Sequence, residues 1–401
     1  MAYAWGQERL GDQYKQKTEK NDGSYGPDKI ISVANMYFKN EEAKSDEEYM
    51  KTYNVMRLGD IAFEGNKSKH FAHGRMVENT IGDGIVSHVF DVFEPIKPYD
   101  LLFWKYLINN ERIMGKIMMR CTKASTMMTN LVAKDFLAET VSVPSIKEQK
   151  EIGRLLASID SLISLHQRKL EKLQEIKKSL LQNMLPAEGE DRPKIRFGGY
   201  TDAWGQERLG DVADIVGGGT PSTNVPEYWD GDINWFAPAE LAGQRFAFRS
   251  LRRITKAGLA NSSAKMLPVG TVLFTSRAGI GTTAILTEEA STNQGFQSIV
   301  PHKDELDSYF VYSMTPKLKK YGETKGAGST FVEVSGKQMS NMPIMLPKDF
   351  KEQQEIGKFF QGLDDLLSLH QRSPFLAQTS PANALMTRSM SLFSSSWMMW
   401  R

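Results

Sequence analysis

Ala4-Trp5-Gly6-Gln7-Glu8-Arg9-Leu10-Gly11-Asp12 occurs a second time, unchanged, as Ala203-Trp204-Gly205-Gln206-Glu207-Arg208-Leu209-Gly210-Asp211. A second pair of matches lies near the end of each half. Lys147-Glu148-Gln149 with Glu151-Ile152-Gly153 returns as Lys351-Glu352-Gln353 with Glu355-Ile356-Gly357, and Ser164-Leu165-His166-Gln167-Arg168 returns as Ser368-Leu369-His370-Gln371-Arg372. Two long matches in the same order define an internal repeat, so the chain must fold as two copies of one plan. The middles diverge but keep a frame: Gly59, Phe63, Gly84 and Ser87 align with Gly270, Phe274, Gly295 and Ser298. Each half is a shared frame around an interior of its own. The 401 residues exceed what one ordinary core organises, which also points to more than one domain.

The second match of each half opens a helix. Val143-Pro144-Ser145 and Leu346-Pro347 supply extended approaches to it. Ile152, Leu156, Ile159, Ile163, His166, Leu170, Leu173, Lys177, Leu180 and Met184 then step by four and three, a heptad seam. A helix over 147–185 is roughly 58 Å long. One apolar stripe on so long a rod requires a partner helix. Ile356, Phe360, Leu363, Leu367 and His370 carry the same seam in the second half, so antiparallel pairing is expected. His166 and His370 read best as polar residues setting register, with a metal or switch role as the alternative. Pro186 to Lys194 breaks the first helix and reads as a polar linker.

The interiors have strand composition at Lys29–Val33, Ile85–Phe90, Thr271–Phe274 and Ser298–Val300, and Leu102–Leu107 and Phe310–Tyr312 each lead into a helix expected to pack on the sheet. The expected fold is α+β: two pseudo-symmetric mixed α/β domains joined by long antiparallel coiled-coil helices. The expected divisions are 1–146, a first domain; 147–185, a central spacer helix; 186–199, a linker; 200–350, a second domain; 351–372, a second spacer helix; and 373–401, an atypical tail. That tail contains no Lys, Asp or Glu and is expected not to continue the coil.

Polar groups gather between these elements. Lys67, Lys69, His70 and Arg75 follow one expected strand, and Ser276 and Arg277 follow its counterpart. Lysine and arginine neutralise phosphates, and arginine, asparagine and glutamine match base edges in the major groove. An ordinary solvated loop is the competing reading. A run over 244–256 holds Arg245, Arg249, Arg252, Arg253 and Lys256, with Phe246 and Phe248 interleaved and no acidic residue. Since the whole chain carries a formal charge of only +2, such a local patch suits phosphate contact better than a general solvated edge. Gly217-Gly218-Gly219-Thr220-Pro221-Ser222 is a flexible turn without the lysine that closes a nucleotide-binding loop. Its glycines suit either close approach to a sugar-phosphate backbone or a simple turn.

Several classes are disfavoured. No His-Glu-x-x-His, Gly-x-Ser-x-Gly or methyltransferase-type motif occurs, and the carboxylates do not cluster as a metal site; Asp364-Asp365 reads as a solvent-exposed helical pair. One cysteine, Cys121, excludes an internal disulfide and suits a reducing cytosol. No apolar stretch spans a bilayer and no signal peptide is visible.

The duplicated plan resembles the specificity (S) subunits of type I restriction-modification systems. The residues that carry the resemblance are Lys194-Ile195-Arg196-Phe197 with Thr201-Asp202-Ala203-Trp204, Leu209-Gly210-Asp211-Val212, Gly219-Thr220-Pro221-Ser222 with Tyr228-Trp229-Asp230-Gly231, Gly295-Phe296-Gln297, and Lys351 to Ile356. The resemblance covers roughly residues 3–372. It implies a non-catalytic subunit in the cytoplasm, with two target-recognition domains, each reading half of a bipartite sequence in double-stranded DNA. The candidate DNA-binding residues are Lys67, Lys69, His70, Arg75, Thr220, Ser222, Arg245, Arg249, Arg252, Arg253, Ser276, Arg277 and Gln297. The helices would set the spacing and dock two modification (M) and two restriction (R) subunits through Ile152, Leu156, Ile159, Ile163, Leu170, Leu173, Leu180, Ile356, Phe360, Leu363 and Leu367. No cofactor or metal is expected in this chain; S-adenosylmethionine, ATP and Mg would sit in the partners, making the assembly an adenine methyltransferase and ATP-dependent endonuclease. The first repeat departs from the pattern in lacking a counterpart of Lys194–Gly199, and the seam stops at Arg372. A coiled-coil adaptor that binds proteins through its two globular halves is the alternative.

Overall fold

The computed structural model describes residues 5–39, 46–124, 128–277, 279–326 and 333–371. The expectations for Ala278, Arg372 and the 373–401 tail lie outside these residues. The chain divides into two compact units, one ending at Gln167 and the other beginning at Arg168. The division falls inside one helix, Ile146–Asn183.

In the first unit, strand Gly6–Arg9 pairs antiparallel with Thr140–Val143, in the register Gly6 to Val143. The repeated Trp-Gly-Gln-Glu-Arg segment is therefore the strand that closes the unit on itself. The main sheet is antiparallel in the order Tyr14–Lys17, Val92–Pro95, Ile61–Glu64, Arg75–Glu78. Both of its faces are covered. Ile61, Phe63, Met76 and Phe93 meet Phe103, Trp104, Leu107 and Phe136 on one side. Ala62, Val77 and Val92 meet Ile31, Val33, Met56 and Val86 on the other. Successive strand residues point to opposite faces, so Ile61-Ala62-Phe63 is apolar throughout because each face has its own core.

The second unit repeats the plan. Gly205–Arg208 pairs antiparallel with Pro343–Leu346, Gly205 opposite Leu346. A five-stranded sheet runs Ala213–Gly217, Gln297–Pro301, Val272–Phe274, Thr283–Leu286, Phe246–Ala247. Val272, Phe274, Ile285 and Ile299 face one core, and Leu273, Ala284 and Leu286 face another. A separate three-stranded sheet joins Arg252–Ile254, Trp229–Phe236 and Ala290–Thr292.

The repeated Lys-Glu-Gln segment joins helix to domain. Gln149 Oε1 accepts from the Asp100 backbone N–H at 3.2 Å, and Gln353 Oε1 accepts from that of Asp307 at 3.1 Å. Asp100 and Asp307 each cap a short helix, Leu101–Ile108 and Ser308–Ser313, by accepting from the N–H of Phe103 and Phe310. Gly153 and Gly357 let the long helices approach those caps: a Cβ at either would lie 2.5 Å from the cap's Oδ1. Helix Phe350–Gln371 carries the second joint.

These joints revise the reading of the seam. Ile152 and Leu156 pack into the first unit's own core, and Ile356, Phe360 and Leu363 into the second's. The first turns of each helix thus lie against their own domain's capped helix, while in the second unit the cluster that holds Ile356, Phe360 and Leu363 also takes in Leu180 of the long helix. Ile159 and Ile163, and further along Leu170, Leu173 and Leu180, are half-buried, and Leu367 is buried. Within the second unit, Lys177 on the long helix bonds Asp364 on helix Phe350–Gln371. Asp364 also accepts from Tyr309 Oη at 2.9 Å, and Asp365 pairs with Arg245. Asp364 is thus a tie between helices and domain, correcting its reading as a solvated residue, whereas Asp365 stays exposed as expected while it pairs with Arg245. His166 is exposed, and His370 Nδ1 donates to the Leu366 carbonyl of its own helix at 2.8 Å.

The 186–194 segment is docked, not a free linker. The Pro186 carbonyl accepts from Lys317 Nζ at 2.8 Å and the Asp191 carbonyl from the Trp204 backbone N–H. Just beyond it, Arg196 forms a two-pronged pair with Glu352, whose side chain is 1% exposed. The Lys194–Phe197 stretch supplies that pair.

Candidate nucleic-acid interface

Two tryptophans build the best-defined surface, which lies in the second unit. Trp229 and Trp235 sit on one strand and meet edge to face with centroids 5.2 Å apart. Their indole N–H groups donate to the carbonyls of Ser222 at 3.1 Å and Gly219 at 2.8 Å. Buried indoles need such acceptors, so this strand pins the Gly219–Ser222 turn. The glycines are dictated by packing: a Cβ on Gly218 would lie 2.0 Å from the Asn293 carbonyl, and one on Gly219 2.3 Å from Ala264 N. Their role is internal close approach. The turn is left presenting Thr220 and Ser222 to solvent.

Arg252 lies with its guanidinium 3.6 Å from the Trp229 ring centroid while remaining exposed. Stacking orients an arginine without consuming its in-plane donors. On the other side of the turn, Thr220 bonds Gln294. Asn293 Oδ1 accepts from Gly295 N at 2.8 Å, and a Cβ on Gly295 would be 3.6 Å from Arg277 Nε. Arg252, Ser222, Thr220 and Gln294 are thus exposed around this turn, and half-buried Arg277 lies beside Gly295, next to Gln294 in the chain. Gln297 is half-buried on the adjoining strand.

The basic run 244–256 divides. Arg249 and Arg252 are exposed and Arg253 is half-buried. Arg245 turns inward and bonds Tyr309 Oη, the Gln361 carbonyl and Asp365. It is a structural tie to the helix, and its assignment to a contact surface is corrected. Ser276 is corrected as well, being fully buried. Its N–H donates to the Gly295 carbonyl at 2.8 Å and its carbonyl accepts from Val334 N at 3.0 Å, which draws it beneath the surface.

The first unit has the same local design. Gly65 follows its strand as Ser276 does, and its carbonyl accepts from Thr129 N at 2.9 Å. Beyond it, Ser68 closes a turn by accepting from Phe71 N, and Lys67, Lys69 and His70 project from this turn exposed. Arg75 is committed internally: Nε bonds Glu64 at 2.7 Å, and Nη2 reaches the Ala34 carbonyl. Its desolvated pairing withdraws it from the exposed set, a correction to the sequence expectation.

Gln294 and Asn293 were not among the sequence candidates. The available signal was the polar Thr-Asn-Gln step directly before Gly295-Phe296-Gln297. Among the described residues, no group of three or more His, Cys, Asp or Glu is placed to hold a metal, and no helix is long and apolar enough to cross a membrane. Cys121 is buried, and burial pushes its thiol up to about 11.

A duplicated α/β unit, each copy joined to a helix, defines a protein of two like modules. The family model for the type I restriction modification DNA specificity domain matches residues 9–175 and 201–375, and the chain belongs to that family. It is 36% identical over 167 residues to the type I restriction enzyme MjaIX specificity subunit of Methanocaldococcus jannaschii, covering 41% of this chain and 38% of that one. It is 24% identical over 283 residues to the putative MjaX specificity subunit of the same organism, covering 69% and 64%. The EcoR124I/EcoR124II specificity subunit of Escherichia coli is 27% identical over 164 residues, covering 39% and 40%. The chain thus spans less than two thirds of the length of each of these relatives. In fold it is similar to the HsdS subunit from Thermoanaerobacter tengcongensis, with a TM-score of 0.52 at 18% identity, covering 98% of this chain and 97% of that one. The S subunit from M. genitalium gives 0.56 at 11% identity, covering 98% and 96%.

Proposed function

We propose that this chain is the sequence-reading subunit of a type I restriction-modification enzyme. Each unit reads one half of a bipartite site in double-stranded DNA, and the helices set the distance between the halves and dock M and R subunits. Methylation and cleavage belong to those partners, which bring S-adenosylmethionine, ATP and Mg; the chain itself works in the cytoplasm without a catalytic centre. The observation that carries the reading is the Arg252–Trp229 stack beside the Gly219–Ser222 turn. It holds a guanidinium oriented and exposed in a chain of almost neutral charge. Oriented arginines suit bidentate contact with guanine or phosphate.

The test is fluorescence anisotropy of the chain co-purified with its M subunits, on target and scrambled duplexes across a salt series. Replacing Arg249, Arg252 and Arg253 together by alanine should lower the slope of log K against log salt by about 3, near one per lost phosphate contact. An unchanged slope would show that this face does not meet DNA.

A further inference from the structure

Leu251 is 88% exposed, more than any other large apolar side chain among the described residues, and Phe248 nearby is 64% exposed. The backbone that carries Leu251 is tied down at every step. Ser250 is buried; its Oγ accepts from Trp235 N at 2.9 Å and donates to the Arg252 carbonyl at 2.6 Å, while its N–H donates to Asn234 Oδ1. Leu251 N donates to Glu240 Oε2 at 2.6 Å, and Glu240 Oε1 accepts from Ala237 N at 2.9 Å. Arg252 rests on Trp229. A loop held this way cannot turn its leucine inward, so the apolar surface stays in water at the cost of its hydration.

The setting selects the occupant. Arg249 and Arg252 flank Leu251 and are exposed, and the stretch 244–256 has no acid. The carboxylate that reaches Leu251, Glu240, is engaged with backbone N–H groups. Pro238, on the same turn as Glu240, lies 2.8 Å from where a Gly295 Cβ would stand, which joins the loop to the Arg277 side of the surface. Glu288, the other carboxylate that reaches this loop, is turned to Asn234 beneath it, and an apolar tip between two exposed arginines complements a polyanion with a stacked apolar interior. We propose that Leu251 is a wedge that inserts at a base step of the DNA duplex, with Arg249 and Arg252 on the flanking phosphates. The proposal rests on the reading of this face as a DNA contact and adds that the second unit unstacks its half-site.

The experiment uses the full chain with its M subunits and a duplex of the mapped target, carrying 2-aminopurine at successive steps of the half-site. Wild type and Leu251→Phe should raise 2-aminopurine fluorescence at one step. Leu251→Ala should abolish that rise and weaken target binding roughly tenfold, the worth of one well-buried leucine, with the salt slope unchanged. Because the side chain is exposed, folding should be unaffected. If Leu251→Ala unstacks and binds as wild type does, the wedge is wrong. If Leu251→Ala loses M-subunit assembly but keeps the unstacking, the leucine meets protein and the proposal is overturned. Failure of the wild-type complex to prefer target over scrambled duplex would instead overturn the DNA-reading function, and the wedge with it.

Discussion

Gly357 and Gly362 lie five residues apart on one helix and should respond oppositely to alanine. In an exposed helix interior, glycine to alanine is favourable by about 1 kcal/mol, because alanine loses less backbone entropy. Gly362 meets that description: it is exposed, and a Cβ there meets nothing within 4 Å. Gly362→Ala should therefore stabilise the second unit by about 0.5–1 kcal/mol. Gly357 is buried, and its Cβ would stand 2.5 Å from Asp307 Oδ1, 3.2 Å from Phe310 N and 3.3 Å from Tyr309 Cβ. Those atoms belong to a helix cap and cannot swing aside as a flexible side chain would. Overpacking of about 1–3 kcal/mol and loss of a cap worth about 1 kcal/mol outweigh the propensity gain, so Gly357→Ala should be destabilising by about 1–3 kcal/mol. Urea unfolding of the full chain, followed by the tryptophans of each unit, measures both. A stabilising Gly357→Ala would refute the claim that the repeated glycine exists to seat helix on domain. Gly153, with Asp100 Oδ1 at the same 2.5 Å, should behave like Gly357.

Other perturbations test separate parts of the account. Arg196→Ala strands the buried Glu352 carboxylate and should destabilise the second unit by about 3–5 kcal/mol, whereas Arg196→Met with Glu352→Leu should recover much of that loss in the same unfolding assay. Burial holds the Glu78 carboxyl well above the usual carboxylate range. A raised folded-state value means that its contribution is present below the unfolded pKa of about 4.3 and is lost as pH rises towards the folded one. Glu78→Gln should flatten the first unit's melting temperature against pH in that window and raise it at pH 7. Arg277→Ala should change sequence choice in one half-site by about 1–3 kcal/mol in competition binding, leaving M-subunit assembly intact; loss of assembly with unchanged sequence choice would misplace the reading surface.

Much of the architecture was legible because the repeat is a physical constraint. The same nine residues must make the same strand, and Gly6–Arg9 and Gly205–Arg208 do so in matching register. The helices were legible from their periodicity, but periodicity names an apolar stripe and not what covers it. Ile152 and Ile356 carry the seam and are claimed by their own domains. Side-chain commitments made across long separations were not legible. Arg245 and Arg252 share one basic run, yet one is drawn to Asp365 and the other is held on Trp229. Ser276 follows a strand, as a loop residue does, but backbone bonds to Gly295 and Val334 hold it inside. Asp364 has the composition of a solvated position until Lys177 and Tyr309 arrive from other elements.

The central claim is that the second unit's Trp-pinned surface reads one half of a bipartite DNA target. Mapping methylated adenines across the genome of a host that carries this chain with its M subunits tests it most directly, beside the Arg252→Ala and Arg277→Ala variants. The account predicts a two-part motif with a fixed gap, in which the variants relax one half and leave the other half and the gap unchanged. A motif unaltered by both variants, or altered equally in both halves, would contradict it.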